Sequence, residues 1–150
     1  MPAISPFLWF DHQAEEAAHF YVSIFPNSRV VSTMQAQGQV LGVTFELDGR
    51  TVMALNGGPR FKFTEAISLF VSCDSQEEID RYWDQLLAGG GEPSMCGWLK
   101  DRYGLSWQVV PSALGAMMGD ADPQRGQRVM EALLQMRKID LPTLERARHG

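Results

Sequence analysis

The sequence predicts an α+β fold: two tandem β-α-β-β-β modules followed by C-terminal helices. Three observations carry this reading. First, the run ISLFVSCDSQEEIDRYW from Ile67 to Trp83 repeats ISPFLWFDHQAEE from Ile4. Laying Ile4 on Ile67 aligns Ser5 with Ser68, Phe7 with Phe70, Asp11 with Asp74 and Gln13 with Gln76. With the offset shortened by one, Glu15-Glu16 meets Glu77-Glu78 and Phe20-Tyr21 meets Tyr82-Trp83. A repeat of this length is a statement about architecture. Second, each copy opens with an apolar run, then an acid, then apolar residues at helical spacing. Third, each helix is followed by β-rich segments broken by glycine turns.

In the first copy, Ile4 to Phe10 reads as a strand and Gln13 to Phe25 as a helix. Ala14, Ala17, Ala18, Tyr21, Ile24 and Phe25 recur at helical spacing, and Glu15 and Glu16 favour the positive end of the helix dipole. Pro26-Asn27 ends it. Strands follow at Arg29 to Gln37, Gln39 to Leu47 and Thr51 to Leu55, the last two joined by an Asp48-Gly49 hairpin signal. Asn56-Gly57-Gly58-Pro59 is a loop.

The second copy starts with a strand from Ala66 to Cys73. Asp74 or Ser75 caps a helix from Gln76 to Ala88, whose stripe is Ile79, Tyr82, Trp83, Leu86 and Leu87. Gly89-Gly90-Gly91 stops it. A short strand pair lies between Glu92 and Arg102, and Leu105 to Val110 is the final strand. Beyond Pro111, Ala113 to Met118 forms a helical turn, and Asp122-Pro123 starts a helix with Val129, Met130, Leu133 and Leu134 on one face. Leu141, Leu144 and Ala147 mark one more. This stripe must bury against the protein's own helices or a second subunit.

The 150 residues are expected to form one domain: modules at about 1–60 and 61–111, and a helical extension of the same domain over 112–150. The net charge is −5 with no basic run, which argues against nucleic acid as a partner. No apolar stretch approaches the ~20 residues that span a membrane. The opening MPAISPF has neither a basic region nor a long apolar run, so a cytoplasmic address is expected. The two cysteines, Cys73 and Cys96, are too few for a disulfide framework, and Cys96 shows no sequence sign of an activating base.

The segments ISPFLWFD, EEAAHFYVSIFPNS, MALNGGP, CGWLKDRYGLSWQVVP and QRVMEALLQMRKIDLPTLERA carry a resemblance. Together they resemble the vicinal oxygen chelate superfamily of glyoxalase I, bleomycin-resistance proteins, fosfomycin-resistance enzymes and extradiol dioxygenases. Within it the likeness is to the PhnB-like branch, often labelled 3-demethylubiquinone-9 3-methyltransferase. The resemblance implies a glyoxalase-like fold, with the modules forming a curved mixed sheet around a cavity, and commonly a homodimer. It also implies that metal-using members draw His, Glu or Gln ligands from the first and last strands of each module.

Strand alternation turns Leu8, Phe10, Leu69, Val71, Cys73, Trp107 and Val109 to the helices. It turns Ser5, Phe7, Trp9, Ser68, Phe70, Ser72, Ser106 and Gln108 inward. The four ligand-like positions then read Ser5, Met53, Ser68 and Gln108, and a one-residue shift substitutes Pro6 or Ala54. Divalent ions want imidazole or carboxylate, so no metal and no cofactor is expected. His12, His19 and His149 lie elsewhere in the sequence.

Ligand-binding candidates are therefore Phe7, Trp9, Met53, Asn56, Ser68, Trp98 and Gln108, with Lys100 nearby. Gln108 offers hydrogen bonds to a ligand or merely to a neighbour; Phe7 and Trp9 offer stacking or plain packing; Asn56 shapes a cavity mouth or a turn. The glycine clusters Gly57-Gly58 and Gly89–Gly91 lack the strand-to-helix setting of a nucleotide-type cofactor loop. The expected function is binding of a small, partly apolar or aromatic molecule in a metal-free cavity, with catalysis left open. The alternatives are a metal-dependent glyoxalase- or dioxygenase-type enzyme, a methyltransferase as the branch label suggests, and an assembly module with a filled cavity. A homodimer is expected from the tail stripe and the paired sheets.

Overall fold

The structure, a computed structural model, describes residues 2–150. The chain forms two compact units, the first ending at Phe63 and the second starting at Thr64. The first holds β1 (Phe7–Phe10), α1 (Ala14–Ile24), β2 (Arg29–Ala36), β3 (Gln39–Leu47) and β4 (Arg50–Asn56). Its sheet runs β1-β4-β3-β2, with β1 parallel to β4 and the other pairs antiparallel.

The second unit holds β5 (Ser68–Cys73), α2 (Gln76–Leu87), β6 (Glu92–Pro93), β7 (Trp98–Lys100) and β8 (Ser106–Pro111). Its sheet runs β5-β8-β7-β6 with the same parallel and antiparallel pattern. The repeat is therefore structural as well as sequential. Each module has its own open four-stranded sheet. Registers match too: Phe7 pairs with Met53 in one unit, and Phe70 with Gln108 in the other.

Strand starts differ from the sequence expectation. β1 begins at Phe7, and Ile4 is 97% exposed. Pro6 supplies no N–H to a ladder, which favours a start after it. The turns obey local chemistry. Asp48-Gly49 and Gln37-Gly38 both take positive φ at both positions, the backbone of tight hairpins. Ser75, rather than Asp74, caps α2: its side chain accepts the Glu78 N–H, and Glu78 reaches back to the Asp74 N–H.

In the first unit α1 packs on β3 and β4, and its small Ala14, Ala17 and Ala18 are fully buried, which lets the helix lie close to the sheet. In the second, Ile79, Tyr82, Trp83 and Leu86 of α2 are buried, and α2 packs on the sheet that carries buried Leu99, Trp107 and Val109.

The tail adds α3 (Leu114–Met118), α4 (Pro123–Leu133) and α5 (Leu141–His149). Val129 and Leu133 bury in one cluster with Val110, Met117, Ile139 and Leu144. Half of the stripe is thus buried within its own unit, whereas Met130 and Leu134 stay 38% and 54% exposed. Among the described residues no helix is long and apolar enough to cross a membrane.

Candidate functional site

In the first unit, alternation leaves Phe7, Thr44 and Met53 on the sheet face away from α1. That face forms a hollow of about 580 Å³, inside the usual range for small-molecule sites. Its lining includes Phe7, Met34, Leu41, Thr44, Met53 and Leu55, and no charged side chain. Phe7 is 57% exposed and Met34 67%, unusual freedom for large apolar groups. Here the structure brings two sequence candidates together, Phe7 and Met53, in direct register.

Two other candidates serve the fold at this point. The Trp9 indole N–H donates to the Gly58 carbonyl at 2.9 Å, and Phe61 meets the ring edge-on at 4.9 Å. Trp9 is therefore engaged by the loop after β4 and is not among the residues lining the hollow. Asn56 does line it, but its amide bonds within the fold. Its Oδ1 accepts the Ala14 N–H at 2.8 Å, and its Nδ2 donates to the Val40 carbonyl at 3.0 Å. Asn56 thus caps α1 from 42 positions away, where Gln13 offers no side-chain cap.

In the second unit, Gln108 Nε2 donates to Ser68 Oγ at 3.0 Å. Trp98 is the register partner of Gln108 on β7, as Phe70 is on β5. Lys100 forms an ion pair with Glu65. That bond holds the Glu65 carboxyl below its ordinary range and raises the Lys100 ammonium above its own. Ser106 Oγ is buried with no hydrogen-bond partner among the described residues.

The sequence did not single out Met34, Leu41 or Thr44. Their signal lay in the alternation of Arg29 to Leu47, legible only once the hairpin's curl is known. It also passed over Asp101, which is buried. Asp101 accepts from the Tyr103 and Leu105 N–H groups and from the Trp107 indole, and so sets the turn into β8.

Both cysteines are free. Burial, then the nearby Glu78 carboxylate, pushes the Cys73 thiol up to about 11, which favours the protonated thiol at neutral pH. Cys96 donates to the Leu133 carbonyl at 3.5 Å.

The residues do not fit a divalent ion. The four ligand-like positions expected from the sequence carry Ser5, Met53, Ser68 and Gln108. Among the described residues no group of three or more His, Cys, Asp or Glu could hold a metal. Thioether, hydroxyl and neutral amide groups make a poor cage for a hard or borderline cation.

Residues 2–110 match the family model described as 3-demethylubiquinone-9 3-methyltransferase. No curated protein matches the chain. Among solved structures, the PhnB protein from Bacillus cereus is 36% identical, covering 73% of this chain and 99% of its own, with a TM-score of 0.67. Protein PA1353 from Pseudomonas aeruginosa is 20% identical over 74% of this chain and 98% of its own, with a TM-score of 0.62. The fosfomycin resistance protein FosX from Listeria monocytogenes, solved with Mn(II) and sulfate, is 14% identical over 73% and 89%, with a TM-score of 0.52. These last two likenesses show the fold alone. The family match ends at residue 110, before α3 to α5. On the match over residues 2–110 and the identity to the Bacillus cereus protein, the chain belongs to the 3-demethylubiquinone-9 3-methyltransferase family, the PhnB-like branch of the glyoxalase/bleomycin-resistance fold.

Proposed function

We propose that the protein is a receptor for a small, partly apolar or aromatic molecule, held without a metal ion in the hollow of the first unit. One observation carries this reading: an uncharged hollow of about 580 Å³ with Phe7, Met34, Leu41 and Met53 in its lining. Large apolar groups left open to water gain from being covered. Burying about 150 Å² on each partner, at about 25 cal/mol per Å², is worth about 7.5 kcal/mol before the loss of ligand freedom. The methionines add adaptable, polarisable contacts that suit an aromatic ring.

The family's name points to methyl transfer, but neither glycine cluster opens a helix. Gly57-Gly58 follows β4 and folds over Trp9, and Gly89–Gly91 follows α2. Self-association belongs to the same reading, supported by the unpaired outer edge of β2. A monomeric mass by light scattering at micromolar protein would remove that part of it.

The test is a titration with indole, read by NMR of the methionine methyl groups. The Met34 and Met53 methyls shift together and saturate, while Met117, buried in the tail cluster, stays still. Silence at Met34 and Met53 up to the solubility limit of indole sinks the proposal.

A further inference from the structure

We propose that Met34 and Met53 form a paired oxidation site, and that their conversion to sulfoxides by hydrogen peroxide closes the hollow of the first unit to apolar molecules. The inference rests on that hollow being the binding site, and adds its regulation.

Register fixes where the two thioethers stand. Met53 on β4 is the partner of Thr44 on β3, and Met34 on β2 is the partner of Gly42 on β3. Thr44 and Gly42 are two residues apart and belong to one face of the sheet. The methionines therefore flank the same short track of β3 from opposite sides, about 10 Å apart across two strand spacings. Both line the hollow, as do Gly42 and Thr44. Gly42 adds no side chain to the floor between them. A flat ring laid on that floor lies within reach of both methionines.

Oxidation of a thioether needs only that the oxidant reach the sulfur. A thiol must first become a thiolate; a methionine has no such requirement. Met34 is 67% exposed and Met53 37%, whereas Met117 in the tail cluster is 4%. In the reaction a sulfur lone pair attacks one oxygen of the peroxide. The S–O bond forms as the O–O bond breaks, and the departing hydroxide takes the proton from the transferred oxygen and leaves as water. Sulfur loses two electrons and the peroxide gains them.

The product places a strong hydrogen-bond acceptor where the hollow presented a polarisable, apolar sulfur. An apolar molecule covering that oxygen strips its water and returns no hydrogen bond. A cost of this kind weakens binding about tenfold. Sulfoxide reductases restore the thioether, so the change is a switch rather than a lesion.

The experiment treats the ¹⁵N-labelled full chain with hydrogen peroxide, maps the added oxygen by peptide mass, and titrates indole at the Thr44 amide signal. Met34 and Met53 each gain one oxygen before Met117 does, and indole then binds about tenfold more weakly than before treatment. Methionine sulfoxide reductases A and B with a dithiol return the affinity. A Met34→Leu/Met53→Leu chain, compared with its own untreated form, holds its affinity through the same treatment, although Cys96, Met95 and Met130 remain open to peroxide. The inference is overturned if the parent chain binds indole equally before and after both sulfurs are oxidised. It is overturned equally if the double variant loses affinity as the parent does, or if Met34 and Met53 outlast Met117. Should the variant not fold or not bind, the reductases decide: affinity still lost once both sulfoxides are reduced overturns the inference. Each of these results leaves the hollow standing as a binding site. A parent chain that ignores indole before any peroxide is added removes the hollow, and this inference with it.

Discussion

Gln76 and Leu141, 65 positions apart, are joined by a 2.7 Å hydrogen bond in which the Leu141 N–H donates to Gln76 Oε1. The same amide donates through Nε2 to the Ile139 carbonyl at 3.0 Å and to Asp80 Oδ1 at 2.9 Å. Leu141 opens α5, so its N–H is one of the donors a helix start leaves unpaired. Asp140 caps the Thr143 N–H, and Gln76 supplies the second acceptor. A single side chain thus ties the tail to the start of α2.

Gln76→Ala removes all three bonds. The Leu141 N–H and the Ile139 carbonyl lose their partners in a half-buried setting, which costs about 1–3 kcal/mol. Thermal melting drops accordingly, and hydrogen exchange quickens at α5 before it does at β8. A variant that melts with the parent chain contradicts this role.

The same junction predicts a pH dependence. Lys138 lies 2.9 Å from Asp80, and its ammonium first, then the Gln76 amide, holds the Asp80 carboxyl below its ordinary value. The folded state therefore binds that proton less tightly than the unfolded chain. Its stabilisation is complete above the unfolded aspartate value, near about 4, and is lost as pH falls through the lower folded value. On the alkaline side Lys138 is raised, so the pair also weakens as pH climbs through that value. Both ends are well exposed, 46% and 39%, so solvent screening keeps the contribution under about 1 kcal/mol. Asp80→Asn flattens the acid limb of a melting series run from about pH 6 to about pH 3; an unaltered limb counts against the pair.

Architecture was legible because the repeat is written in apolar positions. Leu8 and Phe10 are buried in the first unit, and Trp107 and Val109 in the second, as alternation alone requires. Alternation turned Phe7 and Ser68 to one face, but the sequence set Ser5 beside Met53, whereas the register pairs Met53 with Phe7. The bonds from Gln76 to Leu141 and from Asn56 to Ala14 were not legible, since no local pattern marks a polar partner 65 or 42 positions away. Nor was the outer wall of the hollow. β2 pairs with β3 through register shifts at Val30/Ser32 and Met34/Gln35. Such bulges re-aim side chains, so Met34 could not be placed by counting.

Asn56 separates a structural role from a binding one. Asn56→Ala strips the cap from the Ala14 N–H and the bond to the Val40 carbonyl, for a loss of about 1–2 kcal/mol. Asn56→Asp keeps the acceptor and puts a negative charge at the start of α1, so it recovers part of that loss. Because Asn56 also lines the hollow, the carboxylate of Asn56→Asp lowers indole affinity if the hollow is apolar in its chemistry. An unchanged affinity in that variant would mean that indole binds away from Asn56.

Gly57 and Trp9 supply the sharpest steric test. A Cβ added at Gly57 would lie 2.4 Å from the Trp9 ring, far inside contact distance. Gly57→Ala must therefore push the indole or the loop aside, breaking the bond from Trp9 Nε1 to the Gly58 carbonyl. Overpacking of this kind costs about 1–3 kcal/mol, and the Trp9 indole N–H signal shifts toward that of a solvated indole. Trp9→Leu alone is also destabilising, because the loop loses its anchor and the edge-on contact with Phe61. In the double variant the smaller side chain makes room for the new methyl, so the two losses fall short of their sum. Strict additivity of the two losses would mean that loop and indole do not share this space.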